Sequence, residues 1–314
     1  MVQIVLVGLV AGVAGALLFM SPIGGTTLAF PLFTLCGLPI AIAGLGWTMV
    51  AGLIGSAVAA IVVLVAISGS AAIVYLALFA GPIVWMARLA GLSRRDDDAG
   101  SVEWYPLGRI LFQGTIAAAI GLVVVGFVVG FDPASITDEM VAALSEWLAQ
   151  SPDVAAPPSV GDIEPFVRFN VAAMPFTVSA ILVIILVFNM WLAGRITEAS
   201  GRLPRPRPPL WTAALPNQAI VVLAVAFAVC FVPGAIGNAA GTLVGGFAAA
   251  FALIGLAVLH ATTANNNLRI LILVTVYVVL ILFGFPIVLL TALGLVEGFL
   301  NLRARKLGGA PPNT

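Results

Sequence analysis

Charged side chains are scarce in this sequence, and their scarcity indicates the fold class of the protein. Only 8% of the 314 residues are Asp, Glu, Lys or Arg, whereas about 25% is usual in a soluble domain. Arg88 is the first charged residue, so the preceding 87 residues carry no side-chain charge. No soluble core contains an uncharged run of that length, and only lipid can solvate one. The sequence therefore predicts an all-α, polytopic integral membrane helical bundle.

Histidine and cysteine are few, neither sign of charge is in excess, and each of these features excludes a class of function. Lys plus Arg and Asp plus Glu balance at 13 each, so no basic surface for nucleic acid is expected. His260 is the single histidine, and Cys36 and Cys230 lie inside apolar runs as small hydrophobic residues. No phosphate-binding loop, nucleophile elbow or HExxH motif occurs. We therefore expect no enzyme, no cofactor and no metal.

Apolar runs long enough to cross the ~30 Å hydrocarbon layer recur along the chain. Five of them predict single spans, at 3–20, 108–130, 167–194, 213–232 and 238–261. Residues 26–91 are long enough for two full spans plus a short or re-entrant segment around 27–38. The run 26–91 is interrupted by Pro31, Pro39 and the Ser68–Gly69–Ser70 turn. A proline there is tolerated only where neighbouring helices or trapped water satisfy the freed carbonyls.

The last apolar run, 268–300, is too long for one helix. It contains Gly284 and Pro286, which predict a break and a hairpin of two short helices. Together with the earlier spans, this hairpin gives eight to ten crossings. We predict a single transmembrane domain over residues 1–314.

Cationic residues cluster in three places: the loop 92–107 with its flanks, the Arg/Pro loop 195–212, and the tail 301–314. The positive-inside rule assigns all three to the cytoplasm. The segment 131–166 carries acidic residues without Lys or Arg, so it is predicted to be external. The sequence thus predicts a multi-pass protein of the bacterial inner membrane, with the lipid bilayer as a partner and the external segment in the periplasm.

The external segment contains one amphipathic helix. Ser135 is predicted to cap a helix whose first turn carries Asp138 and Glu139, as the helix dipole prefers. Apolar residues then recur at helical spacing on one face: Ile136, Met140, Val141, Leu144, Trp147 and Leu148. Pro152 stands beyond its end. We expect this helix to lie on the membrane surface or to cover the bundle as a lid.

Small residues recur four apart on several predicted spans. They are Gly8, Ala11, Gly12, Gly15 and Ala16 on the first span, Ala51, Gly55 and Ala59 on a later one, and Gly237, Gly241 and Gly245 near the end. In lipid, helices associate through close backbone approach at such residues. Two uses are open for these stripes: packing inside the bundle, or docking of a partner or coupling membrane protein.

Ionisable residues are nearly absent from the centres of the predicted helices, and Glu297 is the deepest acid. This argues against a proton- or ion-coupled pump and against hydrolytic chemistry. The remaining candidates for ligand binding are neutral at membrane depth: Asn170, Asn189, Asn217, Asn238, Thr242 and His260. They predict a cavity for a small uncharged or amphipathic ligand. The alternative is that they cap helices and form interhelical hydrogen bonds.

Several features resemble a family of bacterial membrane proteins. They are the Gly/Ala-rich opening helix with Ser21–Pro22, the run with Pro31 and Pro39, and the stretch from Gly255 through His260, Arg269, Tyr277, Pro286 and Leu293 to Asn301 and Arg305. This pattern is similar to the YybS-like predicted membrane proteins, a domain of unknown function, over most of the chain.

The resemblance carries expectations of its own. YybS-like proteins are similar to the substrate-binding components of energy-coupling-factor vitamin transporters, which dock a coupling subunit through small residues of the first helix. Residues 8–16 would be that surface, and a ligand cavity would open externally under 131–166. This chain differs from that wider group by its extra C-terminal spans. No ligand of the family can be carried over.

Two function hypotheses follow. The first is a transporter-like component that binds a small molecule and lacks its own energy source. The second is a non-catalytic scaffold or assembly protein that packs against partner proteins. A lipid-modifying enzyme would need a buried acid, base or metal cluster, and the sequence offers none.

Overall fold

The structure, a computed structural model, describes residues 1–96, 101–150, 159–206, 212–264, 266–284 and 286–303. Helices dominate the described ranges: α1 (Val2–Phe19), α2 (Ala29–Thr34), α3 (Leu38–Gly46), α4 (Met49–Ala66), α5 (Gly69–Tyr75), α6 (Gly81–Ala90), α7 (Leu107–Val129), α8 (Pro133–Ala149), α9 (Val160–Ala199), α10 (Gln218–Val229), α11 (Ala235–Thr262), α12 (Arg269–Phe283) and α13 (Pro286–Leu300). The other elements are a 3₁₀ turn, Ser21–Gly24, a π-helical turn, Leu76–Ala80, and strands β1 (Ser93–Asp96) and β2 (Ser101–Trp104).

Seven helical segments are long and apolar enough to cross a membrane. They are Val2–Phe19, Ala29–Gly46, Met49–Ala66, Gly69–Ala90, Leu107–Val129, Val160–Ala199 and Ala235–Thr262. The predicted all-α multi-pass bundle is therefore confirmed. Three further apolar helices, α10, α12 and α13, are shorter.

Glycine contacts set the relative direction of the first spans. A Cβ built on Gly8 of α1 would meet Ile54 of α4, and one turn later a Cβ on Gly12 would meet Val58. Because these contacts advance together along both helices, α1 and α4 run parallel. The broken segment Ala29–Gly46 lies between them in sequence and carries the chain back across the bundle.

Two of the predicted cationic regions flank the corner between α3 and α4. Arg88, at the end of α6, donates from Nη1 to the sulfur of Met49 at 3.2 Å. Arg202, just after α9, places its guanidinium carbon 4.5 Å from the centre of the Trp47 ring. The ends of α6 and α9 therefore lie at the same end of the bundle.

The C-terminal cationic region lies at that end too. Gly108, in the first turn of α7, packs directly on the backbone of Ala214. Arg303, beyond α13, donates from Nη1 to the carbonyl oxygen of the neighbouring Ala213 at 3.0 Å. The three regions that the sequence predicts on one side of the membrane are thus together at one end of the described bundle.

Helix α9 has 40 residues, or about 60 Å at 1.5 Å per residue. That is about twice the ~30 Å hydrocarbon layer. Its first turns pack against the apolar face of α8 in a separate small core: Val141, Ile163, Val167 and Val171, with Ile136, Leu144, Leu148 and Met174 around them. The amphipathic helix of the acidic segment therefore pairs with an extension of a membrane helix.

The predicted start of α8 is wrong. The helix begins at Pro133 and its N-cap is Asp132, whose carboxylate accepts from the amides of Ala134 and Ser135. Proline favours the first helical position because it has no amide that needs a partner there. Ser135 instead donates its hydroxyl to the Asp132 carbonyl oxygen at 3.1 Å. Pro152 lies outside the described residues.

The predicted span 213–232 is helical only over Gln218–Val229. Pro216 precedes this helix, and proline disfavours a helical conformation in the residue before it. At the other end Gly234 adopts φ +86°, which only glycine takes readily. The 12-residue helix α10 measures about 18 Å, which is shorter than the ~30 Å hydrocarbon layer.

The C-terminal run breaks where the sequence predicts. Gly284 ends α12 with φ +68°, and Pro286 begins α13. Each helix has 15 residues, or about 22 Å, which is short of the hydrocarbon thickness. No residue of α12 is buried, so this hairpin is attached mainly through α13.

Helix α13 packs closely on α11. A Cβ on Gly294 would overlap the carbonyl of Phe251, so the backbones touch there. Thr291 donates its hydroxyl to the Ala248 carbonyl oxygen at 3.0 Å. Small residues and one interhelical hydrogen bond therefore join the two helices, as in other membrane bundles.

Two local features were not predicted. Strands β1 and β2 form an antiparallel hairpin within loop 92–107, in which Arg94 pairs with Glu103. In the span Gly69–Ala90, Gly81 donates its amide to the Leu76 carbonyl, five residues back. Pro82 follows and has no amide to continue the regular helix, which explains the π-helical turn at this point.

Candidate functional site

The candidate site is the break between α2 and α3, in the middle of the segment Ala29–Gly46. Helix α2 ends at Thr34, and α3 begins at Leu38 with Pro39 in its first turn. The break deprives the carbonyls of Thr34 and Cys36 of regular helical partners. In lipid such groups must be satisfied by protein or by water, since each unsatisfied one costs several kcal/mol.

Side chains from two other helices satisfy these carbonyls. Asn189 of α9 donates from Nδ2 to the Thr34 oxygen at 2.7 Å and also to the Ile185 oxygen of its own helix at 2.8 Å. Tyr75 at the end of α5 donates its hydroxyl to the Cys36 oxygen at 3.3 Å. Both side chains have no solvent exposure. The break is therefore fixed by long-range polar contacts inside the bundle.

The surroundings of Tyr75 are shaped for its ring. Phe19 and Phe79 pack against it with ring centroids at 5.1 and 6.4 Å, an arrangement typical of favourable aromatic clusters. A Cβ on Gly15 would lie 2.5 Å from the tyrosine oxygen and 3.0 Å from the Cys36 carbonyl oxygen. Gly15 therefore leaves the space in which the tyrosine reaches the break.

One polar atom at the break has no hydrogen-bond partner. Asn189 uses its amide nitrogen twice, but its Oδ1 is buried and accepts no bond. A Cβ on Gly37 would lie 3.8 Å from this oxygen, so the acceptor is next to the unwound backbone. Leaving such an acceptor unpaired costs about 1–3 kcal/mol. Chemically, the site is an acceptor for an N–H or O–H group.

The other predicted ligand residues do not converge on the break. Asn170 is exposed and donates to the Phe166 carbonyl of its own helix at 2.8 Å. Thr242 is buried and donates to the Ala239 carbonyl at 2.7 Å. Asn238 is half-buried in the first turn of α11. These residues make local contacts or lie near the ends of α9 and α11.

His260 belongs to a different pair of helices. Its Nε2 lies 3.0 Å from the hydroxyl oxygen of Tyr277, which connects the end of α11 to α12. Asn217 lies at the start of α10 and borders a small cavity near Glu297. The six predicted residues are therefore distributed over separate places in the bundle.

The small-residue stripes pack inside the chain. Gly8, Ala11, Gly12, Gly15 and Ala16 are all buried, and α4 covers much of this face. Gly241 lies against Pro175 and Gly245 against the Phe176 backbone, both on α9, whereas Gly237 packs on the Val232 carbonyl just before its own helix. The surface that the resemblance assigns to a coupling subunit is thus already occupied by the chain itself.

A buried ion pair was missed by the sequence reasoning. Arg303 donates from Nε to Glu297 Oε1 at 2.7 Å, and both side chains are 4% exposed. A cavity of about 30 Å³ lies beside them, lined partly by Asn217, Asn301 and Phe251. The signal available in the sequence was Glu297 itself, but its partner lies six residues further on, past the end of the helix.

Fold and site together define a multi-pass helical membrane protein with a broken helix held by polar side chains. No family model, curated protein or solved structure significantly matches this chain. Within the described residues, no group of three or more His, Cys, Asp or Glu side chains is placed to hold a metal ion.

Proposed function

We propose that this chain is the membrane-embedded, small-molecule-binding component of a transport system, without catalytic activity and without an energy source of its own. The resemblance to YybS-like proteins and, through them, to vitamin-binding transporter components supports this proposal. A separate ATPase-linked module would supply the energy, because the sequence contains no phosphate-binding loop. Its ligand is a small uncharged or amphipathic molecule, because the interior offers few charges.

The broken helix carries the proposal. Transporters commonly bind substrate near the membrane midplane, where discontinuous helices expose backbone groups. Here the break between α2 and α3 lies beside Asn189, whose Oδ1 lacks a donor. We assign to the ligand an N–H or O–H group that donates to this oxygen.

The proposal includes an orientation. The end of the bundle with Arg88, Arg202 and Arg303 faces the cytoplasm, and the α8–α9 hairpin faces the periplasm of a bacterial inner membrane. The positive-inside rule supports this assignment, because the arginines gather at one end. Labelling of single cysteines introduced at Glu139 and Arg94 in intact cells tests it, and labelling of the Arg94 position alone would reverse it.

Native mass spectrometry of the protein, extracted gently from its own membranes, tests the binding function. We expect an added mass of a few hundred daltons on the wild-type chain. Asn189→Ala should lose it, and Asn170→Ala should keep it, because Asn170 is an exposed asparagine on the same helix. Circular dichroism would verify that both variants remain folded. A bare wild-type chain, or a ligand that survives Asn189→Ala, would contradict the proposal.

A scaffold function is the second candidate, and the α8–α9 hairpin favours it. Phe169 is 72% exposed, Phe166 66% and Trp147 63%, and exposed aromatic residues are typical of interaction surfaces. A photo-crosslinking residue at position 169, activated in the native membrane, should then yield one defined protein adduct. Adducts with lipid alone would remove this candidate.

A further inference from the structure

Two arginine side chains flank the corner where α3 ends and α4 begins, at residues 47–49. Arg88, in the last turn of α6, donates from Nη1 to the sulfur of Met49 at 3.2 Å. Arg202, beyond α9, lies over the ring of Trp47, with its guanidinium carbon 4.5 Å from the ring centre. Both arginines are exposed. Helices α6 and α9 therefore bring two positive charges to one short corner of the chain.

The contacts of these two guanidinium groups leave most of their N–H donors available. A thioether sulfur such as that of Met49 is only a weak acceptor. The Trp47 ring attracts a cation through its face, which does not use the N–H groups at the guanidinium edge. Neither Arg88 nor Arg202 forms an ion pair with a described carboxylate. The planar fork of an arginine matches the oxygens of a phosphate group, so the corner suits a phosphate anion.

The helices that meet at this corner also present apolar surface. Val50 and Leu53, in the first two turns of α4, are 55% and 47% exposed. Trp85 of α6 is 41% exposed, and its spacing of three residues places it on the same helix face as Arg88. Helices α4 and α6 contact each other, and exposed tryptophan is typical of the membrane interface. Polar donors and apolar surface thus lie together, as an amphiphilic ligand requires.

We infer that the corner formed by Trp47, Arg88 and Arg202 binds an anionic phospholipid through its headgroup phosphate. A free phosphate ion has the same phosphate chemistry, but only a lipid also covers the apolar surface of α4 and α6. Basic sites between membrane helices bind anionic headgroups in this manner. The site is separate from the broken helix, and it does not depend on the proposed transport function.

Native mass spectrometry of the full-length protein in detergent tests the site. The probes are phosphatidylglycerol and phosphatidylethanolamine with identical acyl chains, and the anionic lipid should bind the wild-type chain more tightly. The double variant Arg88→Gln with Arg202→Gln should weaken phosphatidylglycerol binding about 25-fold, at roughly fivefold for each arginine. Equal binding of the two lipids to the wild-type chain would overturn the inference.

The matched control removes two arginines from the same cationic region. Arg94 and Arg95 are exposed on strand β1, and Arg94→Gln with Arg95→Gln should keep most of the affinity for phosphatidylglycerol. An equal loss in both double variants would show general attraction to basic loops and overturn the inference. If the first double variant does not fold, Arg202→Lys decides. It keeps the charge but loses the planar fork, and unchanged affinity in this variant would also overturn the inference.

Inorganic phosphate separates the two sources of the ligand. Excess phosphate at constant ionic strength should leave phosphatidylglycerol bound to the wild-type chain, because the acyl chains contribute contacts that the free ion lacks. Complete displacement of the lipid by phosphate would identify the corner as a site for the free ion and overturn the assignment to a lipid.

Discussion

In both helix pairs, α1–α4 and α11–α13, a glycine brings the two backbones into contact. The pairs differ in the polar contacts that accompany this packing. In each pair a glycine lets two backbones touch: Gly12 against the Gly55 carbonyl, and Gly294 against the Phe251 carbonyl. The α1–α4 pair contains no charged residue. The α11–α13 pair adds an interhelical hydrogen bond and ends near a buried ion pair.

Helix length explains this difference. Helices α1 and α4 have 18 residues each, or about 27 Å, so lipid and short loops hold their ends near the two interfaces. Helix α13 has 15 residues, or about 22 Å, which is shorter than the hydrocarbon layer, so its length alone does not define its position along α11. Directional polar contacts supply the register there. Small residues thus let two helix backbones approach closely, and polar contacts fix the position of one helix along the other.

Among the substitutions that test this comparison, removal of Arg303 should lower the free energy of unfolding most. Arg303→Ala leaves the Glu297 carboxylate buried and unpaired, and we expect a loss of about 3–5 kcal/mol in the free energy of unfolding. Reversible unfolding in mixed detergent micelles would measure it. The double variant Glu297→Leu with Arg303→Leu should recover most of the loss, because it removes both charges. A loss below about 1 kcal/mol for Arg303→Ala would mean that the pair is not buried.

Replacement of the glycines at these backbone contacts by leucine should cause the next largest loss of stability. Gly12→Leu and Gly294→Leu place carbon atoms where backbone carbonyls lie, and overpacking of this kind costs about 1–3 kcal/mol or more. The control is Gly194→Ala in α9, where a Cβ would meet nothing within 4 Å. That variant should be neutral or slightly stabilising. Equal stability for Gly12→Leu and Gly194→Ala would show that α1 and α4 do not touch.

The broken helix should respond to loss of its polar supports. Asn189→Ala leaves the Thr34 carbonyl without its donor, at a cost of about 1–3 kcal/mol. Tyr75→Phe removes the longer bond to Cys36 and should cost about 1 kcal/mol. Thermal unfolding of both variants beside Asn170→Ala would establish the order. A greater loss for Asn170→Ala than for Asn189→Ala would contradict the described role of Asn189.

The smallest expected effect is the pH dependence of the N-terminal turn of α8, which Asp132 caps. Backbone and side-chain hydrogen bonds from Ser135, together with the Ala134 amide, lower the pKa of Asp132 below its usual value. A depressed pKa in the folded state means that the cap contributes above the ordinary pKa of about 3.9 and is lost as pH falls through the lower folded value. The protection of the amides in this turn, which is their exchange rate relative to the intrinsic rate at the same pH, should therefore decrease as the pH falls through that value.

Substitution of the cap gives the matching control. Asp132→Ala should accelerate exchange of the Ala134 and Ser135 amides at neutral pH and abolish the acid effect. Ser135→Ala should keep most of the protection, because the Ser135 amide still donates to Asp132. If Ser135→Ala reduced the protection of these amides more than Asp132→Ala, Ser135 would be the cap, as the sequence predicts.

Most span positions were predictable because a long uncharged, apolar run is stable in lipid only as membrane-spanning helices. The sequence predicted a short or re-entrant segment around residues 27–38 beside two full spans, whereas the structure has an interrupted span of full length, Ala29–Gly46, in this region. The hairpin break was predicted at Gly284 and Pro286, where the structure has it. These features depend on local chemistry: proline has no amide, and lipid supplies no donor or acceptor. Sequence reasoning therefore located most of the apolar spans and the break at Pro286, but not the bounds of α10 or the full length of the interrupted segment Ala29–Gly46.

The contacts that build the candidate site were not predictable, because they join distant residues. Asn189 bonds to Thr34 across 155 positions, and nothing in either neighbourhood indicates the other. Glu297 and Arg303 are near in sequence, but the pair forms only because the chain turns back at Asn301, which adopts φ +47°. The Asp132 cap was missed because Ser135 offers an equally good local signal.

The length of α9 gives the protein a shape that practical work can use. A detergent micelle hides most features of a bundle with short loops, which makes particles hard to align in electron micrographs. A helix of about 60 Å, paired with α8 through its own small core, extends beyond such a micelle on one side. That projection marks the particle's direction and offers a rigid epitope for an antibody fragment.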